Sequence, residues 1–479
     1  MMARSMVAAR PGTDVHGPTA MPRPDGGARL ASLAAPAPVA DPVQVFEAAR
    51  RAGWNAMLWH LPHRQEALVG IGALATLTGA GPGRFARVAG EWRAMTATAL
   101  RFPGAQHRGA PARGPLLMGG FAFAPGDGGG PWQAFGDARL WVPRWVYQVA
   151  GRQAWLHAQI QVPADHTAAA ARRLAEAALA AVPAVLEEQG PPAGPVEPAG
   201  AGRLVQRRDV PPKTQWLAAV EEAVAAIRAG EMEKAVLARA VQVTVPGGFA
   251  PGPALRYLRA HYPDCYVFAV AQGGQCFLGA TPERLVRLQD GQVDVACLAG
   301  SIGRGQSAAE DQRLGEALLA SAKNRHEHQV VLDAIRAALA PLCTDLEAPA
   351  APALLKFANV QHLYTPVRAR AATGVTVLEL AARVHPTPAI GGHPTDKALA
   401  LIRRLEAAPR GWYAGPIGWV DSQGQGELAV ALRSGLLDGE DAWLYAGCGI
   451  MADSDPESEY AESCLKLRPM LAALGAEGP

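Results

Sequence analysis

Residues 115–151, PLLMGGFAFAPGDGGGPWQAFGDARLWVPRWVYQVAG, continue into RQAWLHAQIQV at 152–162, and this stretch decides the fold class. It consists of short alternating, aromatic-rich runs separated by Gly clusters, the pattern of consecutive paired strands. Upstream, WNAMLWHLPHRQEALVGIGALATLTG at 54–79 repeats the theme. A short aromatic strand, a turn and a buried apolar strand run there into Gly-punctuated loops. Residues 1–40, rich in Pro, Gly and Ala without periodicity, read as a disordered tail. Residues 166–188 carry Ala and Leu at helical spacing, and GPPAGPVEPAGAG at 190–202 reads as a linker.

Beyond the linker, Trp216, Val220, Ala223, Val224 and Ile227 form one apolar stripe of a helix at about 213–229, with Gly230 placed as its C-cap. Lys234 to Val245 reads as a strand. Ser307 and Glu310 form an S-x-x-E capping box, after which helical spacing persists to about Leu339. WLYAGCGIM is a strand ending in glycines, followed by the capped helix DSDPESEYAESCLKLRPMLAAL. Strands and helices intermingle without a βαβ rhythm, so the expected class is α+β with mainly antiparallel sheets. The expected organisation is a tail (1–40), an N-terminal part (41–202) and a part carrying the candidate site (203–479).

With 479 residues and a formal net charge of +2, the chain has no electrostatic footprint for nucleic acid or an anionic membrane. It has no apolar run of ~18 residues to span a bilayer. The start, MMARSMVAARPGTDVHGPTAMPRPDGG, lacks an apolar core and does not read as a signal peptide. Six cysteines without a CxxC pair are expected to be reduced thiols, and the expected location is the cytoplasm.

Candidate chemistry gathers in the second half. Glu459, Glu462 and Lys466, spaced three and four apart, project from one helical face; on spacing alone this is a solvated row with an ordinary ion pair. The preceding AGCGI, however, is a Gly-flanked strand end with amides free to bind an anion. In KNRHEHQVVLDAI, Glu327 shares a face with Asn324 and Val331, beside the apolar seam, where a carboxylate needs a partner such as a hard cation. His326 and His328, two apart, point ~200° from each other and cannot hold one zinc ion. Lys234 opens an apolar strand, and burial there would lower its proton affinity toward that of a general base. Glu283, in GATPERLVRL, follows a Thr-Pro turn and would alone rank as a surface carboxylate. Arg433, in GELAVALRSGLL, reads as part of an apolar strand, where an arginine pairs with a protein or ligand carboxylate. Together these residues indicate an acidic ligand held by Arg and Lys beside a carboxylate-bound divalent cation.

Read in order, KAVLAR, GATPERL, LAGSIGRG, KNRHEHQVVLD, VQHLYTPV, HPTPAIGG, YAGPIGWVD, LAVALRSGLL and YAGCGIMADSDPESEYAESCLKL resemble the chorismate-binding enzyme family from Lys234 to Leu467. ALVGIG and GGFAFAP resemble its isochorismate synthase branch. The resemblance implies a large fold with two mainly antiparallel sheets flanked by helices. It also implies Mg²⁺ held by Glu327 and Glu462, with Glu459 acting through water. Tyr413, Arg433, Lys466 and backbone amides near Gly447 match positions that bind the substrate carboxylates; Gly300 and Ser301, in LAGS, join the substrate site, and His362 matches the histidine beside the ring. Asn324 departs from the pattern, since many relatives are acidic there.

Lys234 matches the lysine that activates water in isochorismate and salicylate synthases; glutamine is usual where ammonia is the nucleophile. Ala299 stands where many aminodeoxychorismate synthases carry a nucleophilic lysine. Ala389 matches the isochorismate synthase pattern, whereas threonine is typical of members that also eliminate pyruvate. The implied activity is conversion of chorismate to isochorismate for menaquinone or siderophore biosynthesis, with no glutamine amidotransferase subunit. Lys234 acts as base toward water at C2 and Glu283 as acid toward the C4 hydroxyl. Salicylate synthase is the nearest alternative, opposed by Ala389 and Ser301. A non-catalytic chorismate-binding protein is the other, opposed by the joint presence of Lys234, Glu283, Glu327 and Glu462.

Overall fold

The strand Ala56–Leu61, AMLWHL, is buried along its whole length, and its alternation shows how the molecule is layered. Met57 and Trp59 point into one apolar core while Ala56 and Leu58 point into a second, as a side-chain period of two requires. The first core lies between two sheets, and the second lies under helices on the outer face of the larger sheet. The structure is a computed structural model that describes residues 28–102, 114–182, 206–357 and 360–476.

The larger sheet runs Gln206–Val210, Lys234–Thr244, Asp441–Ile450, Ser434–Asp438, Gln275–Thr281, Tyr266–Gln272, Ala56–Leu61, Glu66–Ile71, Trp145–Ala150, Gln153–Pro163, Ala28–Ala37 and Leu100–Phe102. The smaller runs Cys343–Glu347, Val360–Ala371, Gln292–Gly303, Arg284–Gln289, Gly426–Val430, Pro416–Asp421, Leu116–Phe121, Ala138–Val142 and Ala75–Gly79. Among the described residues, the pairing of Ala28–Ala37 with Leu100–Phe102 is parallel and the other strand pairs are antiparallel. The α+β class with two mainly antiparallel sheets therefore holds. Both sheets interleave the two halves of the chain: Val267 pairs with His60, and Ile417 with Gly120. The helices Pro42–Arg51, Pro251–His261 and Pro456–Ala473 lie against the larger sheet, and Ala322–Leu339 and Val377–Val384 against the smaller. No helix among the described residues is long and apolar enough to cross a membrane.

Three local expectations are corrected. Ala28–Ala37, inside the stretch read as a disordered tail, is a strand in register with Gln153–Pro163. Its partner lies more than a hundred residues away, so nothing local announces it; residues 1–27 lie outside the described residues, as does the linker at 190–202. The long helix expected from Ser307 to Leu339 is two helices, Ala308–Ala320 and Ala322–Leu339. They break at Ser321, whose side chain accepts from the Asn324 amide and caps the second. Arg433 is not within a strand but sits between Gly426–Val430 and Ser434–Asp438 at φ 49°, a left-handed turn.

Candidate active site

Every residue singled out above as catalytic, substrate-binding or metal-binding lines one cavity of about 370 Å³. Lys234, Gly447, Glu459, Glu462 and Lys466 come from the larger sheet and the C-terminal helix. Gly300, Ser301, Glu327 and His362 come from the smaller sheet and its helix. Glu283, Ala389, Tyr413 and Arg433 come from loops between them.

Lys234 begins its strand and is only 3% exposed. Its Nζ lies 2.5 Å from Glu327 Oε1. The strand pairs with Asp441–Ile450, and the lysine side chain crosses Gly449 to reach its partner. A Cβ at residue 449 would lie 2.8 Å from Lys234 Cε and 3.3 Å from Nζ, so glycine is what opens this path. Burial works to raise the Glu327 carboxyl, but the Lys234 ammonium outweighs it and holds the group below its ordinary value. On the same helix His328 turns inward, bonded to Thr365 Oγ1 at 2.8 Å, while His326 is exposed, so the two histidines share no metal.

Glu283 is fixed by the Thr-Pro turn that precedes it. Thr281 Oγ1 donates to Val430 O at 2.6 Å and accepts from the Glu283 amide at 3.2 Å. The carboxyl is buried, and that burial pushes it up to about 7 against the opposing pull of Lys234, Lys466 and Arg433. A protonated acid is thereby available near neutral pH.

The positive side of the cavity is Arg433 with Lys466. Arg433 makes no ion pair among the described residues; its Nη1 reaches only Lys466 O, at 3.5 Å. Lys466 Nζ donates to Gly447 O at 2.9 Å and lies 2.6 Å from Glu462 Oε1. Tyr413 stacks on Tyr445 with ring centroids 5.2 Å apart, and burial pushes its hydroxyl up to about 12, which keeps it a neutral donor. Gly447 keeps the wall thin, since a Cβ there would sit 3.3 Å from the Tyr413 hydroxyl. On the opposite sheet a bulge between Ala299 and Ser301 places Gly300 at φ +75° against Asn324. Ser301 Oγ lies 2.6 Å from His362 Nδ1. Burial, with Arg433 and Lys466 nearby, pulls His362 down to about 3 and leaves it a neutral imidazole.

The acidic side can hold a hard cation. Glu459 accepts from Ser454 Oγ at 2.7 Å, and burial together with Glu462 raises its carboxyl, the mark of an under-compensated pair of like charges. One ligand atom each from Cys448, Glu459 and Glu462 lies within 4.8 Å of the others. The Cys448 thiol is pushed up to about 12 by burial and donates to Glu459 O at 3.2 Å, so the donors left are carboxylate oxygens. Glu327 and Glu462 meanwhile each carry a lysine ammonium. Carboxylate oxygens suit a hard ion such as Mg²⁺ and not a thiophilic one, and a cation held there must displace the two ammonium groups.

Several lining residues went unread in the sequence. Lys323 precedes Glu327 by one helical turn and pairs with Asp453 at 2.9 Å, a signal that spacing could have supplied. Arg410 is 2% exposed and also lines the cavity, yet PRGW gives no local sign of its burial.

Residues 20–475 match the family described as "Chorismate binding enzyme". The chain is 43% identical over 444 residues to a "Salicylate biosynthesis isochorismate synthase" of Pseudomonas aeruginosa, covering 91% of this chain and 88% of that protein. It is 37% identical over 441 residues to "Isochorismate synthase MenF" of Bacillus subtilis, covering 91% and 92%. Its structure is similar to that of MenF, the menaquinone-specific isochorismate synthase from Escherichia coli, with a TM-score of 0.74 and 27% identity over 94% of this chain and 95% of that one. This chain belongs to the chorismate-binding enzyme family.

Proposed function

We propose that this protein is a Mg²⁺-dependent isochorismate synthase that isomerises chorismate by adding water at ring C2 and expelling the C4 hydroxyl. The observation that carries the reading is the joint presence, in one cavity, of a buried lysine, a buried carboxyl raised to about 7, and an arginine without a carboxylate partner among the described residues. The relatives matched are named for salicylate, menaquinone and 2,3-dihydroxybenzoate, and isochorismate synthase is the activity common to those names.

Arg433, Lys466 and the Tyr413 hydroxyl bind and orient the carboxylates of the dianionic substrate. Glu327 and Glu462, with Glu459 through water, would hold the metal, which supplies charge neutralisation for the ring carboxylate. Lys234 is the base: once its ammonium, paired with Glu327 at rest, has given up a proton to solvent, it accepts one from water as the water oxygen bonds to C2. The two ring double bonds shift one position along, the C4–O bond breaks, and Glu283 gives its proton to the departing hydroxyl. One water enters and one leaves, and the proton gained by Lys234 is returned to Glu283 through solvent, so the sum is an isomerisation, and the reverse path uses the same groups with roles exchanged. Because the nucleophile is water taken at Lys234, no ammonia-delivering subunit is required. The small Ala389 side chain adds no hydroxyl of its own to the cavity wall, which favours release of isochorismate over elimination of pyruvate.

Incubation of the purified protein with chorismate, with and without Mg²⁺, tests this. Isochorismate should form only with the metal present; stoichiometric pyruvate would support a salicylate synthase, and no turnover would support a binding protein.

A further inference from the structure

Arg410 and Glu406 fill a gap in the edge of the strand that carries Lys234. That edge is paired by Gly392–His393 against Lys234 and Ala235, and again by Gln206–Val210 from Ala240 onward. Between the two, no strand among the described residues reaches Val236 to Ala238. Arg410 Nη2 donates to Val236 O at 2.6 Å, and Glu406 Oε1 accepts from the Ala238 amide at 2.8 Å. The ion pair itself closes at 2.6 Å and is buried on both sides. Two side chains thus replace a missing stretch of ladder, which a buried strand edge requires.

The same guanidinium reaches the loop that carries Ala389. Arg410 Nη1 donates to Ile390 O at 2.9 Å, one residue past Ala389, while the Val236 amide donates to Gly391 O at 3.0 Å. The Phe123 ring supports it from one face, 4.0 Å from the guanidinium carbon. The Tyr413 amide donates back to Arg410 O at 3.1 Å. One buried side chain therefore joins two cavity walls, the Lys234 strand and the Ala389 loop, while the backbone of the same residue opens the turn leading to Tyr413. A planar fork with donors in several directions can do this, whereas a lysine supplies one point of charge.

Building on the proposed function, we propose that Arg410, held by Glu406, is a positioning residue. It fixes the separation between the wall bearing Lys234 and the loop bearing Ala389, and so sets the rate of the chemical step, not the affinity for substrate. Misplacing reacting groups by about 1 Å can cost on the order of a hundredfold in rate without removing a binding contact.

Two variants test it. R410K keeps the charge balance against Glu406 but cannot span both carbonyls; R410M/E406Q removes both charges together, so neither is left buried alone. Each is compared with wild type for thermal unfolding, for kcat and KM with chorismate, and for amide hydrogen exchange at residues 234–238 and 386–393. The expected result is a folded R410K whose kcat falls by about tenfold to a hundredfold with KM changed less than about threefold. Exchange should quicken at those two segments and nowhere else. An R410K enzyme with wild-type kcat, a loss confined to KM, or unchanged exchange at both segments overturns the proposal, as does failure of both variants to fold. The exchange result does not depend on turnover, so an inactive wild type would count against the proposed function alone.

Discussion

The Lys234 ammonium sits 2.5 Å from Glu327 Oε1, reached across the bare backbone of Gly449. The proposed base and a proposed metal ligand are therefore each other's partner, and a cation bound at Glu327 must compete with the lysine for the same oxygen. Lys234→Met should abolish turnover yet bind Mn²⁺ more tightly than wild type, by about tenfold, or about 1.4 kcal/mol. Electron paramagnetic resonance of free Mn²⁺ measures this without reference to activity. Equal or weaker binding would mean that Glu327 does not serve the metal.

The pH dependence should show Glu283. Its carboxyl faces Lys234, Arg433 and Lys466, with Cys297 also nearby, and burial raises it to about 7 despite those three cations. The group must be protonated to give its proton to the leaving hydroxyl, so activity is present below that value and lost as pH rises through it. The alkaline limb of kcat/KM, followed from about pH 6 to about pH 9, should fall with an apparent pKa of about 7. Glu283→Gln should lose about 10²–10⁴ in rate while still binding chorismate. A flat alkaline limb together with an active Glu283→Gln enzyme would remove Glu283 from the acid role.

Arg433 tests the binding half of the site. With no ion pair of its own among the described residues, it is available to a substrate carboxylate. Arg433→Ala should raise KM by about tenfold to a hundredfold, the equivalent of a charge-assisted contact of about 1.5–3 kcal/mol. An unchanged KM would place the carboxylate elsewhere.

How much of this was legible depended on how local each cause is. Glu459, Glu462 and Lys466 were readable because helix geometry alone puts residues three and four apart on one face, and they line one cavity. Arg433 was misplaced because the apolar run before it hides a break that only its left-handed backbone and the Ser-Gly that follows reveal. The break at Ser321 did have a sequence signal, a serine three before Asn324, but unbroken helical spacing on both sides masked it. Ala28–Ala37 and Arg410 owe their places to partners far along the chain, Gln153–Pro163 for the first and Val236 for the second, and no window of sequence contains both sides of such a contact.

Ala389 tests product choice. It lines the cavity one residue before Ile390, which Arg410 holds by its carbonyl. Ala389→Thr adds a hydroxyl and a methyl group, enough to alter the ring's pose or to supply a hydrogen bond near the enolpyruvyl oxygen. Wild type should give isochorismate with little pyruvate, and the variant should release some, read by a coupled lactate dehydrogenase assay. If the variant releases none, the alanine does not control elimination.

Water attack at C2, with Lys234 as its base, is the centre of the account, and isotope incorporation reads it directly. The wild-type enzyme is given chorismate and Mg²⁺ in ¹⁸O-enriched water, and the isochorismate formed early in the reaction is analysed by mass spectrometry. The account predicts one solvent oxygen in the product's C2 hydroxyl, with Lys234→Ala giving no product. Isochorismate that has kept the original C4 oxygen would show transfer within the substrate and contradict the mechanism.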